Sequence, residues 1–309
     1  MKKRILLTGG TGLIGKNLVE FLKKKYLIKS FGSEINLKNE IEVKKLFSSF
    51  KPNILIHLAA KVGGIQANIN DKLGFYLDNI IINTNILRYA EKNRIEYIFA
   101  MGTGCAYPKK LEKKILKEDM FLQGVPEKTN DAYAYAKRNL LLHLQYLYER
   151  KKIKYCYCIP SNIYGPHDNF HPINSHVIPG LIKKIYNSKI KKKKTHEIWG
   201  TGNAKRDFLF INDLIIAINL IIEKKFIGPI NIASNNLVTI KKAAKIISKS
   251  IGYNGKLIFN RNKPEGQLQR KFEISKIKKI GWKKKTSFSQ GIDKTVEWFI
   301  KNQNNLREK

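Results

Sequence analysis

The chain has 309 residues, 43% of them hydrophobic and 10% aromatic, which suffices to bury the core of one large α/β domain or of two packed lobes. No apolar run approaches the roughly 20 residues that span a bilayer, the start "MKKRILLTGG" lacks a signal peptide's long apolar stretch and cleavage site, and Cys105, Cys156 and Cys158 show no paired spacing, so a cytoplasmic protein without a disulfide framework or zinc site is expected. The formal net charge of +35 raises nucleic-acid binding as a reading, but the lysines are spread along the chain with one dense run, "KIKKKK" at 189–194, and no interleaved aromatics, so the charge reads as a compositional bias whose field helps draw in an anionic substrate.

In chain order, "RILLTG" reads as a first strand, followed by a glycine-rich turn and a helix, "LIGKNLVEFLKKK". "YLIKSFG" is a second strand and "EIEVKKLFSSF" a second helix. "PNILIHLAA", "YIFAMGTG" and "IKYCYCIPSNIYG" give three more strands, separated by helical patterns at 71–93 and 131–150. Strands alternating with helices of this length predict βαβ units and a mainly parallel α/β sheet. Beyond residue 166 the alternation loses regularity. We therefore expect a first domain over 1–165, joined again by segments near 203–225, and a smaller lobe made mainly of 166–309.

The turn "TGGTGLIG" places Gly9, Gly12 and Gly15 at GxxGxxG spacing, directly after a strand and opening a helix. Glycine there allows a tight turn and close backbone approach to a pyrophosphate, which then rests on the helix N-terminus. In this context the pattern predicts a dinucleotide site. The end of the second strand, "KSFGSE", sets Lys29, Ser30 and Ser33 before its first acid, Glu34. An early carboxylate would favour NAD; its absence favours NADP(H), with Lys29 or Ser33 as contacts for a 2′-phosphate and Glu34 as the alternative ribose-binding acid.

Tyr133 and Lys137, in "NDAYAYAK", stand four apart on one helix face. Tyr148 and Lys152 share that spacing, so spacing alone decides nothing. Context does: Thr103 ends the fourth strand in "MGTGCAYP", thirty residues before Tyr133. An ammonium beside a phenol is expected to lower its pKa and fit it to protonate a carbonyl that receives hydride. A hydroxyl, a tyrosine and a lysine after a glycine-rich turn form the working set of a short-chain dehydrogenase/reductase.

At this point the chain resembles the GDP-L-fucose synthase family, the GDP-4-keto-6-deoxymannose 3,5-epimerase-4-reductases. The resemblance is carried by "AAKVGGI" at 59–65, "GTGCAYPK" at 102–109, "NDAYAYAK" at 130–137 and "NIYGPHDNFHPINSHVIP" at 162–179. "WGTGNAKRDFLFINDL" at 199–214 and "KPEGQLQRKFEISKIKKIGW" at 263–282 extend it over essentially the whole length. It implies a Rossmann-type, doubly wound parallel sheet with a smaller C-terminal lobe that binds the GDP-sugar. It implies NADP(H) held by Gly9, Thr11, Gly12, Leu13, Ile14, Gly15, Ala59, Ala60, Lys137, Pro160, Asn162, Ile163 and His176. Thr103, Tyr133 and Lys137 take the reductase roles. Cys105 and His176 take those of base and acid in inverting the centres beside the C4 ketone, which suits groups that titrate near neutrality. Lys184, Trp199, Arg206 and Glu273 fall on positions that hold the GDP-sugar. No metal is implied: Pro172 breaks any helix that would align His167, His171 and His176. A homodimer through the helices at 71–93 and 131–150 and a place in surface-polysaccharide synthesis are further implications.

The chain departs from the family at several positions. Thr103 replaces a serine, Gly104 a small polar residue with space expected to open beside Cys105, Lys184 an arginine, Glu273 a shorter acid, and Thr11 a basic residue of the glycine loop. These changes cluster around the sugar and the cofactor phosphate. They leave a second substrate in view, a GDP-4-keto-heptose or related sugar reduced at C4 without epimerisation.

Overall fold

The structure is a computed structural model and describes residues 2–111, 114–171, 175–262 and 270–307. The N-terminal half runs β1 (Arg4–Thr8), α1 (Leu13–Leu22), β2 (Leu27–Phe31), α2 (Glu40–Phe50), β3 (Ile54–His57), α3 (Ile65–Asn70), α4 (Lys72–Lys92), β4 (Tyr97–Met101), β5 (Ile115–Leu116), α5 (Asp131–Lys151), β6 (Lys154–Pro160) and β7 (Asn162–Tyr164). The remainder runs α6 (Val177–Ile190), β8 (Thr195–Trp199), β9 (Lys205–Phe210), α7 (Ile211–Lys224), β10 (Gly228–Ile232), β11 (Leu237–Thr239), α8 (Ile240–Ile251), β12 (Lys256–Asn260), β13 (Lys271–Phe272), α9 (Ser275–Lys279) and α10 (Phe288–Lys301).

Six strands form one parallel sheet in the order β10-β6-β4-β3-β1-β2. The chain leaves β1 towards β2 on one side and returns to β3 on the other, so the topological switch point, where doubly wound sheets open a ligand crevice, lies between β1 and β3. Helices cover both faces, which is why the central strands are apolar runs: Ile5, Leu6 and Leu7, Leu55 and Ile56, Ile98 and Phe99, and Cys156 to Ile159 are all buried. One polar chain crosses this core. The Thr8 hydroxyl donates to His57 Nδ1 at 2.8 Å, and His57 Nε2 donates to Asn83 Oδ1 on α4 at 3.0 Å. Burial lowers His57 to about 4, so the ring is neutral and able to take one bond at each nitrogen.

The stretch 153–165, expected as one strand, is two. β6 stays in the large sheet, while β7 joins β9 and β11 in a separate three-stranded sheet. The chain turns out at Ser161, whose N–H donates to Ile232 O at 2.9 Å. β10 then pairs with β6 as the outer strand, and α7 packs on α1, so chain from beyond residue 200 completes the large sheet and its covering layer. The two-residue strands β5 and β13 pair across the sequence and bring Arg270, Phe272 and Glu273 to the end of β4. α4 and α5, of 21 residues each, pack along one another on one flank.

Candidate active site

The glycine turn is built by sterics. Gly9 adopts φ +76°, and a Cβ there would stand 2.9 Å from Ala59 N. A Cβ on Gly15 would overlap the Gly9 carbonyl, because α1 packs directly on the turn. Gly12 is different: a Cβ there would meet Gly9 O at 3.3 Å and otherwise only Arg307 Nη1, at 3.7 Å. Gly12 also N-caps α1 without a side-chain bond, leaving the first-turn N–H groups that follow, those of Leu13 and Ile14 among them, without a side-chain acceptor. A backbone open to close approach, over uncapped amides at the positive end of a helix, fits a dinucleotide diphosphate. Ala59 and Ala60 follow β3 alongside it, the Ala59 N–H held by the Thr8 hydroxyl at 3.1 Å.

At the end of β2 the strand alternates. Ser30 faces Gly10, and Lys29 lies on the opposite face with its ammonium 3.5 Å from Ser49 Oγ on α2. Lys29 is therefore turned towards α2, and Ser30 rather than Lys29 shares the face of the glycine turn. Glu34 Oε1 accepts the Gly32 N–H at 2.7 Å, and the Thr11 side chain packs against Gly32.

Thr103 follows β4 and caps a 3₁₀ turn over Gly104–Ala106, with its Oγ1 3.0 Å from Cys105 Sγ. Lys137 comes up from α5, only 2% exposed, and donates to Met101 O at 2.8 Å, with Nζ 5.8 Å from the centre of the Tyr133 ring. Cys105 is close enough to act electrostatically on both Tyr133 and Lys137. The expected lowering of the Tyr133 pKa is not found. Burial pushes the phenol up, and the neighbouring Cys105 acts in the same direction. The ammonium lies over the ring, committed to the Met101 carbonyl, and burial brings Lys137 itself down to about 8.

Gly104 opens no space beside Cys105: a Cβ there would stand 2.7 Å from Phe272 Cζ and 3.1 Å from Pro160 O. The turn is held by residues that spacing did not single out. Arg138 donates from Nε to Ala106 O at 2.9 Å and from Nη1 to Gly124 O at 2.6 Å, and Arg270 donates to Gly104 O at 2.8 Å. The Tyr157 hydroxyl donates to Lys137 O at 2.8 Å, tying the helix to β6. The cue available was an arginine directly after Lys137 at a position the helix period buries.

The remaining candidates lie around this cluster. Pro160 ends β6 beside the Cys105 turn, and Asn162, next to Ile163 on β7, donates from Nδ2 to Asp207 O at 3.0 Å. His176 N-caps α6 at an accessible position in a cleft, where enclosure by protein and the positive Arg307 both lower its pKa. The charge that reaches it is that of Arg307, while Thr103, Cys105, Tyr133 and Lys137 form the cluster at β4. His167 packs edge-on against Trp298 with ring centres 4.7 Å apart. Lys184 Nζ lies 5.7 Å from the ring centre of Trp199, a residue 59% exposed. Arg206 is half-buried on β9, and Glu273 spends both carboxylate oxygens on the N–H and hydroxyl of Ser275, each at 2.7 Å. Pro172 and residues 263–269 of the sequence motifs lie outside the described residues.

A glycine turn at the switch point of a doubly wound sheet, with threonine, tyrosine and lysine clustered at the end of β4, is the arrangement of an extended short-chain dehydrogenase/reductase. A family profile described as "NAD dependent epimerase/dehydratase family" matches residues 5–233. GDP-L-colitose synthase of Yersinia pseudotuberculosis is 36% identical over 307 residues, covering 98% of this chain and 99% of its own. GDP-L-fucose synthase of Escherichia coli K12 is 31% identical over 319 residues, covering 99% of each. Among solved structures, a GDP-L-fucose synthetase from Naegleria fowleri bound to NADP superposes with TM-score 0.90 at 31% identity, over 99% of this chain and 95% of that one. A GDP-6-OMe-4-keto-L-xylo-heptose reductase from C. jejuni gives 0.89 at 25% identity, over 97% and 98%. The chain belongs to the NAD dependent epimerase/dehydratase family, and within it to the GDP-L-fucose synthases and their relatives.

Proposed function

We propose that the protein uses NADPH to reduce the C4 ketone of a GDP-4-keto-6-deoxy sugar and first epimerises C3 and C5. The observation that carries this reading is the cluster of hydroxyl, thiol, phenol and ammonium at the end of β4, in the same parallel sheet as the strand that leads into the glycine turn. Bound NADPH supplies a hydride for the carbonyl carbon. Gly9, Thr11, Gly12, Leu13, Ile14 and Gly15 cradle the cofactor, Ala59 and Ala60 flank it, and Lys137, Pro160, Asn162, Ile163 and His176 border its nicotinamide half. The Tyr133 phenol, kept protonated by burial, gives its proton to the carbonyl oxygen, and the Thr103 hydroxyl bonds the same oxygen. Cys105 and His176 remove and return protons at the carbons flanking the ketone. Lys184 and Trp199 hold the nucleotide end of the substrate with Arg206, whose planar fork suits a diphosphate, and Glu273 borders the sugar. The six-stranded sheet is the cofactor half and the elements around α6, α8 and β12 the substrate half.

A second reading, C4 reduction alone on a GDP-4-keto-heptose, is favoured by the likeness to the heptose reductase and by the substitutions at Thr103 and Lys184. The two separate in deuterated water with NADPH and GDP-4-keto-6-deoxymannose. Deuterium at C3 and C5 of the product establishes epimerisation, and NADPH oxidation without exchange establishes reduction alone. Turnover with no GDP-4-keto sugar defeats both. In the same assay Cys105→Ser should abolish exchange while slowing reduction less; equal loss of both would undo this division of labour.

A homodimer in the cytoplasm, serving surface-polysaccharide synthesis, completes the proposal. Support for the dimer is an apolar stripe on α4, with Leu73 68%, Tyr76 40%, Leu77 43% and Ile81 40% exposed, beside Tyr146 of α5 at 58%. Among the described residues no helix is long and apolar enough to cross a membrane.

A further inference from the structure

The segment after α10 runs back to the cofactor end of the sheet. Gln303 Nε2 donates to Phe299 O at 2.7 Å, Leu306 packs against the core, and Arg307 forms an isolated parallel bridge with Asn169, its carbonyl accepting the Phe170 N–H at 2.9 Å. The Phe170 ring is in turn clamped by α10, 4.8 Å from Phe299 and 6.1 Å from Trp298 between centres. The same loop is fixed to α1, because Asn17 donates from Nδ2 to Pro166 O at 3.0 Å. These contacts deliver the Arg307 guanidinium to the mouth of the glycine turn, where Nη1 is the foreign atom that stands nearest the open side of Gly12.

Among the described residues that guanidinium has no hydrogen-bond or ion-pair partner. The groups its charge reaches are His176, which is itself a cation or neutral, and Asp168, a carboxylate 2% exposed whose Oδ1 accepts the Asn169 N–H at 2.7 Å and whose Oδ2 has no partner. Burial raises Asp168 to about 7, so it neutralises the arginine only in part. A cation is thus held against the positive end of α1, a like-signed juxtaposition that becomes favourable when an anion lies between the two. The turn supplies no cation of its own, since Thr11 occupies its tip and Lys29 faces α2.

We infer that Arg307 is a cofactor ligand whose guanidinium closes over the diphosphate of the dinucleotide at Gly12, supplying from the C-terminal segment the positive charge that the glycine turn lacks. The inference rests on the dinucleotide reading above. It is tested by titrating the full-length protein with NADPH and with NADH, without sugar, following nicotinamide fluorescence or heat. Both cofactors carry the diphosphate, and only NADPH carries the 2′-phosphate. Arg307→Ala should weaken both by tenfold or more, and Arg307→Lys should recover part of the loss as a point charge without the bidentate fork. The unfolding temperature without dinucleotide should not change. Undiminished affinity in Arg307→Ala overturns the inference. A loss confined to NADPH moves the contact to the 2′-phosphate and overturns the diphosphate assignment, and a fall in apo-protein stability that parallels the lost affinity reduces the residue to a structural strap. If the unaltered protein binds neither dinucleotide, the proposed function fails with it.

Discussion

A proton donor must hold its proton until the carbonyl needs it, and at Tyr133 burial does this without help from the neighbouring lysine. Tyr133→Phe should lower kcat about 10²- to 10⁴-fold while NADPH affinity stays within twofold, as general-acid loss requires. Normal turnover in that variant would assign the acid elsewhere. Lys137 sets a different pH limit. Its pKa falls from 10.5 to about 8, so its positive charge is lost as pH rises through that value. Because kcat/KM reports the free enzyme, kcat/KM for NADPH should decline above about pH 8, and a flat profile to pH 10 would show that the charge is not used. The pairing of Tyr133 with Lys137 was legible in the sequence because Thr103 and the glycine turn singled it out from Tyr148 and Lys152. The direction of the phenol shift was not, since desolvation depends on what packs around the ring. The filling of Gly104 by Phe272 was illegible for the same reason, the two being brought together by a strand pair of two residues each.

Among elements, the glycine turn separates stability from binding. Gly15→Ala forces a methyl group into the Gly9 carbonyl, and overpacking of this kind costs about 1–3 kcal/mol, so the melting temperature should drop by several degrees. Gly12→Ala, at φ −80° with its methyl 3.3 Å from Gly9 O, should lower melting far less than Gly15→Ala yet weaken NADPH binding by tenfold or more. Equal effects at the two positions would mean that the turn is only a structural joint. The turn, the first four strands and the long helices were readable because short apolar strands alternate with longer helical segments, bounded by glycine, proline or a cap. β5, β13 and the bridge between Asn169 and Arg307 are too short to carry a period, and residues 153–165 read as a single strand because only Ser161 separates β6 from β7, a break too short to show in the pattern.

At the scale of the molecule, the α4 and α5 flank is the place to test assembly. Leu77→Asp should shift the sedimentation coefficient from dimer to monomer with the circular-dichroism spectrum unchanged, and a dimer that persists would locate the contact on another face. The large positive charge, visible at once in composition, bears on encounter with anionic nucleotides and not on fold. Least legible was the outer strand: β10 lies beyond the segment near 203–225 expected to rejoin the first domain, and gives no hint in sequence that it belongs beside β6, because parallel pairing across a long crossover leaves no local mark.

That late strand has a consequence for biosynthesis. Until Gly228–Ile232 has been made, β6 is the outermost strand, and its bare backbone, between the apolar side chains of Cys156 to Ile159, is a template for any passing strand. A nascent or truncated chain ending near residue 165 should therefore self-associate and come down as insoluble material, and its need for chaperone shelter should end once β10 has been synthesised and docked.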